Sequence, residues 1–109
     1  MFIHSYTGSD GQSHPKEYDE VPIGKLEIDD VEGVRVHAFP TGTFIDWHNT
    51  PRRLFMVTLS GEAEIGYGDG QTRRMKPGDI HFEDDVTGQG HTFRVIGDAP
   101  RVTLVIPIK

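Results

Sequence analysis

Turn-forming residues interrupt this chain so often that no long helix can form. The 109 residues include 13 glycines and seven prolines, and turn signals such as Pro40-Thr41-Gly42 and Pro77-Gly78-Asp79 recur at short intervals. Between the turns lie short runs rich in β-branched and aromatic residues, namely VRVHAF, TFIDWH, RLFMVTL, EAEIGY, DIHF, HTFRVI and RVTLVI. Such runs predict strands. Many short strands joined by regular turns predict an all-β sandwich or barrel.

The composition narrows the classes of partner and chemistry. Eleven basic and 17 acidic residues give a net charge of −6, which argues against nucleic acid and anionic membranes as partners. No cysteine is present, so disulfides, thiolate metal sites and cysteine nucleophiles are excluded. No apolar run approaches the roughly 20 residues of a membrane span, and the start lacks the pattern of a signal peptide. We therefore expect a cytoplasmic protein.

The length suits one domain with one modest core. Residues 5–20 are polar and carry Gly8, Gly11 and Pro15, so we expect an N-terminal arm over residues 1–20 and a barrel over residues 21–109. A sandwich has edge strands to protect, and the arm is too polar to form a core by itself. We therefore expect the arm to pack across a homodimer.

Two motifs carry a family resemblance. The first runs Gly42, five residues, His48, Asn49-Thr50, three residues, Leu54, six residues and Gly61; the second runs Pro77-Gly78-Asp79, a strand, and Gly88-Gln89-Gly90-His91. Both resemble the motifs of the cupins, and the resemblance implies a jelly-roll barrel, or double-stranded β-helix, that encloses a cavity. TGSDGQSH, WHNTPRR, LSGEAEI and EDDVTGQGH resemble a narrower group of small bacterial cupins with little assigned function. Where that group tends to carry glutamine after the paired arginines, this chain has Leu54.

The resemblance also bears on metal binding. The usual four ligand positions of cupins correspond to His48, Thr50, Leu54 and His91, and only the two histidines carry ligating side chains. A catalytic metal normally needs three protein ligands. Candidates for the third ligand are His37, His81, Glu64 and Glu83. The expected cofactor is accordingly none, or a weakly bound divalent metal held by His48 and His91.

The same two histidines can act without a metal. If His48 and His91 face each other inside the cavity, they can exchange protons at physiological pH, and Asp46 could orient the first ring. Arg53 could bind a substrate anion or pair with Glu64 or Asp85. We therefore predict a catalytic set that comprises His48, His91, Arg53 and Glu64. The predicted cavity lining, which would bind a small organic substrate, comprises Thr50, Leu54, Met56, Phe93 and Val95.

Structural roles are the alternative for each of these residues. His48 could simply hydrogen-bond a loop carbonyl at a strand end, and Arg53 could form a surface ion pair. Glu64 lies beside a hairpin turn, where carboxylates are usually solvated. Trp47 is expected to pack on the strand face opposite His48.

Three functions stay open at this point. The first is an enzyme that uses the histidine pair for isomerisation, dehydration, cyclisation or elimination. The second is a metal-dependent oxygenase or lyase, and the third is a non-catalytic module that binds a small molecule. The chain has neither a cysteine nor a Gly-x-Ser-x-Gly elbow, which argues against covalent catalysis.

Overall fold

The computed structural model describes residues 1–19 and 33–108, and these form ten strands in two β-sheets. In chain order the strands are β1 (Phe2–Thr7), β2 (Ser13–Tyr18), β3 (Arg35–Phe39), β4 (Phe44–His48), β5 (Leu54–Ser60), β6 (Glu62–Gly66), β7 (Thr72–Met75), β8 (Ile80–Asp84), β9 (His91–Ile96) and β10 (Arg101–Pro107). The all-β fold expected from the sequence is therefore confirmed. Within these residues no helix is long and apolar enough to cross a membrane.

The two sheets pack face to face as in a jelly roll. The larger sheet has the strand order β2-β1-β8-β5-β10-β3, and the smaller has the order β4-β9-β6-β7. Neighbouring strands are antiparallel, except that β1 and β8 are parallel. Ile3 of the larger sheet packs in one buried cluster with Ile65 and Met75 of the smaller sheet. These contacts between sheets are the core that holds the barrel closed.

The N-terminal segment, expected as an arm over residues 1–20, is part of the larger sheet. It forms β1 and β2, and β1 is the neighbour of β8 in that sheet. Ser5 and Ser13 are 0% and 1% exposed, although both side chains are polar. They are buried because they hydrogen-bond to other buried polar side chains, Ser5 to Tyr67 and Ser13 to Asp85. The predicted domain boundary at residues 20 and 21 falls at the edge of the segment that lies outside the described residues.

The outer face of the larger sheet is largely apolar. Because successive side chains of a strand point to opposite faces, Phe2 lies on the face opposite Ile3. Phe2 packs there in a second buried cluster with Phe55 and Ile108. Val36, which is paired in register with Leu104 of β10, is instead 65% exposed. Exposed apolar side chains are suited to association, and the homodimer stays a prediction.

Candidate functional site

A cavity of about 140 Å³ opens between the two sheets. Most of its wall is apolar, and the apolar side chains are Phe39, Ile45, Pro51, Leu54, Met56, Ile65 and Phe93. The polar side chains in its wall are His48, Thr50, His81, Glu83, His91 and Arg101. A concave apolar space with a few convergent polar groups is the usual form of a small-molecule site.

His48 and His91 lie side by side in this cavity. They are register partners in β4 and β9, and their ring centres are 4.6 Å apart. His48 Nδ1 lies 2.8 Å from the carbonyl oxygen of Asp46. Because a carbonyl can only accept, Nδ1 carries the proton and donates it, and Nε2 is left as the basic atom of the neutral ring. The orienting group is thus the backbone of Asp46, whereas its carboxylate accepts from the Trp47 N–H.

A close backbone approach holds the two histidines together. Gly90 immediately precedes His91 and has a φ of +80°, and a Cβ atom there would lie 1.7 Å from the carbonyl oxygen of His48. Only glycine allows β4 and the start of β9 to come this near. The second motif therefore needs Gly90 for the position of the histidine pair.

His91 is held between two buried carboxylates. Its Nδ1 donates to Asp85 Oδ2 at 2.5 Å, and its Nε2 lies 3.1 Å from Glu83 Oε1. Burial alone lowers the pKa of His91, but the partners Asp85 and Glu83 outweigh burial and raise that pKa to about 10. For Glu83 the two effects have the opposite signs. Burial alone would raise its pKa, but the hydrogen bond with His91 and the nearby histidines lower it to about 2. His91 is therefore an imidazolium at neutral pH, and both of its N–H groups face carboxylates.

A second polar group lies beside this ion pair. His81 Nε2 and Tyr67 OH are both 2.7 Å from Ser5 Oγ. Burial lowers the pKa of His81 to about 4 and raises the pKa of Tyr67. Both side chains are consequently neutral at physiological pH. His81 and Glu83 face inward together because they are two residues apart on β8.

Arg101 is the cavity residue that sequence reasoning missed. It is 1% exposed, and its guanidinium lies 5.1 Å from the ring centre of Phe93. NH2 donates to Thr58 Oγ1 at 3.0 Å and NH1 to the sulfur of Met56 at 3.5 Å, while Nε has no partner. Alternation along RVTLVI was the available signal, because it puts Arg101 on the same face as Thr103, which is 0% exposed.

Two predicted catalytic residues lie outside the cavity. Arg53 has a half-exposed side chain and donates from Nε to Asp84 Oδ1 at 2.8 Å, so it pairs with neither Glu64 nor Asp85. Glu64 is register partner to Arg74 and Arg94 in the smaller sheet. Its neighbours Ala63 and Ile65 are the buried residues of β6, so Glu64 points away from the interior. Alternation along β6 decides the placement of Glu64, whereas Arg53 precedes β5 and is held by its contact with Asp84.

The remaining predicted residues lie in three places: the cavity wall, the core and the surface. Thr50, Leu54, Met56 and Phe93 line the cavity together with the histidine pair. Val95 packs in the core with Ala63 instead. His37, a candidate third ligand, is exposed and stacks on Phe39 with ring centres 4.2 Å apart.

The residues at the family's usual ligand positions do not fit a metal. Leu54 has no donor atom, and the hydroxyl of Thr50 donates to the carbonyl of Arg52. His91 can ligate only after losing a proton, and both of its nitrogens are engaged by carboxylates. Glu83, Asp85 and His91 do form a buried group whose ligand atoms lie within 4.8 Å of one another. A metal there would have to displace the proton that these carboxylates hold on His91.

Comparison with known proteins agrees with this fold. The cupin domain family matches residues 35–107. A conserved protein of unknown function from Streptococcus pyogenes is 25% identical over 77% of this chain and 69% of its own, with a TM-score of 0.54. An uncharacterised protein with a double-stranded β-helix domain from Klebsiella pneumoniae is 29% identical over 84% of this chain and 82% of its own, with a TM-score of 0.53.

One similar structure is that of an enzyme. The DMSP lyase DddQ from Ruegeria pomeroyi is 30% identical over 70% of this chain, with a TM-score of 0.57, and the match covers 37% of the lyase. No curated protein matches the sequence. The family match spans well over half of the chain, from the start of β3 to the end of β10. The chain therefore belongs to the cupin family.

Proposed function

We propose that this cupin catalyses proton transfer on a small organic molecule bound in its cavity. The observation that carries the proposal is that two adjacent rings have different partners, a backbone carbonyl for His48 and two carboxylates for His91. His91 is held charged by Asp85 and Glu83, whereas His48 has a basic Nε2 because its Nδ1–H is bound to a carbonyl. Neighbouring titratable groups whose environments favour different protonation states are typical of an acid–base site.

His48 is the proposed general base. Its Nε2 would accept a proton from a substrate carbon, and the electron pair of the broken C–H bond would stay on the substrate. In an elimination that pair forms a double bond as the leaving group departs with its own electrons. In an isomerisation the proton returns to a different carbon. A positioned base of this kind contributes about 10²–10⁴-fold to the rate.

His91 is the proposed positioning partner. Both of its N–H groups face carboxylates, so its positive charge is balanced by Asp85 and Glu83 and is not directed at a substrate. These contacts fix the His91 ring beside His48, and Ser13 donates to Asp85 Oδ2 at 2.6 Å to hold one of the two carboxylates. The ring that lies against the base therefore needs no rearrangement when a substrate binds.

The comparison with DddQ is consistent with this class of reaction. A lyase breaks a bond by elimination, which is one of the reactions that a positioned base can perform. The cupin chain spans about a third of that enzyme, so the comparison supports the type of chemistry and leaves the substrate to experiment.

The test is hydrogen exchange with solvent. Small organic acids that bind the protein are incubated in D₂O, and loss of each C–H signal is followed by NMR. We expect exchange well above the buffer rate, and a loss of about 10²–10⁴-fold in His48→Gln. His14→Gln is the matched control, because His14 lies on the surface paired with Asp10. Exchange that is equally fast in His48→Gln, or absent for every acid that binds, would contradict the proposal and favour a non-catalytic binding module.

A metal-dependent function is the second candidate, and the buried group of Glu83, Asp85 and His91 is the observation that favours it. In the acid–base function both ring nitrogens of His91 carry a proton, whereas in the metal-dependent function one of them binds the metal. Nitrogen NMR of the wild-type protein at neutral pH shows two protonated ring nitrogens if His91 is an imidazolium. One metal per chain that survives chelation, with a deprotonated His91, would establish the metal instead.

A further inference from the structure

We propose that Arg101 is an anion-binding residue and that the cavity takes a small monocarboxylate, with the carboxylate on Arg101 and the apolar body against the cavity wall. This inference rests on the proposed function only in treating the cavity as the substrate site.

The first argument is that the buried guanidinium of Arg101 has fewer hydrogen-bond acceptors than it has N–H groups. Arginine offers five N–H donors in a fixed fork, and Arg101 is 1% exposed. Its acceptors are the hydroxyl of Thr58 and the sulfur of Met56, which is a weak acceptor. The Nε–H has none. Leaving a buried charged group short of hydrogen bonds is costly, and a carboxylate is the group that takes two parallel N–H bonds from a guanidinium.

The second argument concerns the charges around the cavity. Glu83 acts on Arg101 electrostatically, but the carboxylates of Glu83 and Asp85 both contact His91, at 3.1 and 2.5 Å. Among residues 1–19 and 33–108, no carboxylate forms an ion pair with Arg101. The guanidinium of Arg101 thus feels the charge of Glu83 at a distance but has no carboxylate in direct contact within these residues. One negative charge would pair with it, whereas a dianion would put a further negative charge near Glu83.

The third argument is size and polarity. The cavity volume of about 140 Å³ equals roughly five water molecules at about 30 Å³ each. The cavity wall is mostly apolar, and two of its apolar side chains, Met56 and Phe93, contact the arginine. A carboxylate on a chain of two or three further carbons would fill this space. Larger acids would have to protrude from the opening.

The first experiment needs no variant. Propionate and its neutral counterpart propionamide have nearly the same size and shape, and each is titrated into ¹⁵N-labelled wild-type protein by NMR. We expect saturable shifts of cavity residues with propionate and an affinity at least tenfold weaker for propionamide. Equal affinities, or no saturable binding of propionate, would overturn the inference.

The second experiment removes the charge. Arg101→Gln should weaken propionate at least tenfold and leave the affinity for propionamide unchanged. Arg53→Gln is the matched control, because it removes an arginine that is paired with Asp84 outside the cavity, and it should bind propionate as the wild type does. An Arg101→Gln protein that folds and still prefers propionate would refute the assignment. If that variant does not fold, the comparison of the two ligands on wild-type protein decides.

These binding measurements are separable from the proposed catalysis. His48→Gln should keep the preference for propionate, because the carboxylate contact does not involve the base. Preference for propionate without proton exchange would support the anion site and contradict the acid–base function. Proton exchange without that preference would do the reverse.

Discussion

The ion pair of His91 predicts that this protein loses stability as the pH rises above neutrality. The pKa of His91 is raised from 6.5 to about 10 in the folded protein, so between these values the native state holds a proton that the unfolded chain releases. Stability falls with pH wherever the native state binds more protons. The stability that His91 contributes is fully present below its pKa in the unfolded chain, 6.5. That stability is lost as the pH rises through its pKa in the folded protein, about 10.

The magnitude follows from the same shift. One bound proton changes the free energy of unfolding by about 1.4 kcal/mol per pH unit. Between about pH 7.5 and 9 the loss should therefore be about 2 kcal/mol. With a urea dependence of about 1.5 kcal/mol per molar, the unfolding midpoint should fall by roughly 1.4 M. Below pH 6.5 the trend reverses, because burial lowers the pKa of His81 to about 4 and the unfolded chain then binds the extra proton.

Urea unfolding over this pH range tests the reasoning, with two variants as comparisons. Asp85→Asn removes one carboxylate from His91 and should flatten the alkaline decline. His14→Gln removes a surface histidine and should leave the decline intact. A wild-type midpoint that is constant or rises between about pH 7.5 and 9 would show that His91 is not held as a cation.

Three shorter predictions concern the backbone, the metal and the assembly. Gly90→Ala should lower the free energy of unfolding in urea by about 3 kcal/mol or more, because its Cβ would meet the carbonyl of His48. Gly70→Ala is the control, since Gly70 has a similar φ and open space around it, and it should cost only about 1–2 kcal/mol. Equal losses would contradict the close approach of Gly90 to His48. Protein dialysed against a chelator should contain less than one metal per chain by elemental analysis and should retain proton exchange, so stoichiometric retained metal would count against the acid–base function. Light scattering at micromolar concentration should give the mass of a homodimer, since the larger sheet exposes the apolar side chains of Val36 and Leu59. A monomer mass would reject that expectation.

Much of the site could be predicted from local pattern. Short strand runs separated by turn residues predicted the all-β fold, and the spacing of the two motifs singled out His48 and His91. The same spacing placed Leu54, Met56 and Phe93 on the cavity wall, where the structure has them. These predictions succeed because turns, strand propensity and motif spacing are encoded by residues close together in the chain.

The tertiary structure alone decided which charged residues line the cavity. Alternation shows which side chains share a face of a strand, but not which face is turned inward. Arg53 and Glu64 are outside the cavity, whereas Arg101 and Glu83 are inside it.

Contacts between residues far apart in sequence decided the burial of Ser5 and the charge of His91. Ser5 is buried although it is polar, because it hydrogen-bonds to Tyr67 and His81, which are 62 and 76 residues away in sequence. The charge of His91 likewise depends on two carboxylates, Glu83 in β8 and Asp85 in the loop after it. Sequence identifies a histidine, but its protonation state is set by the groups that the fold packs around it.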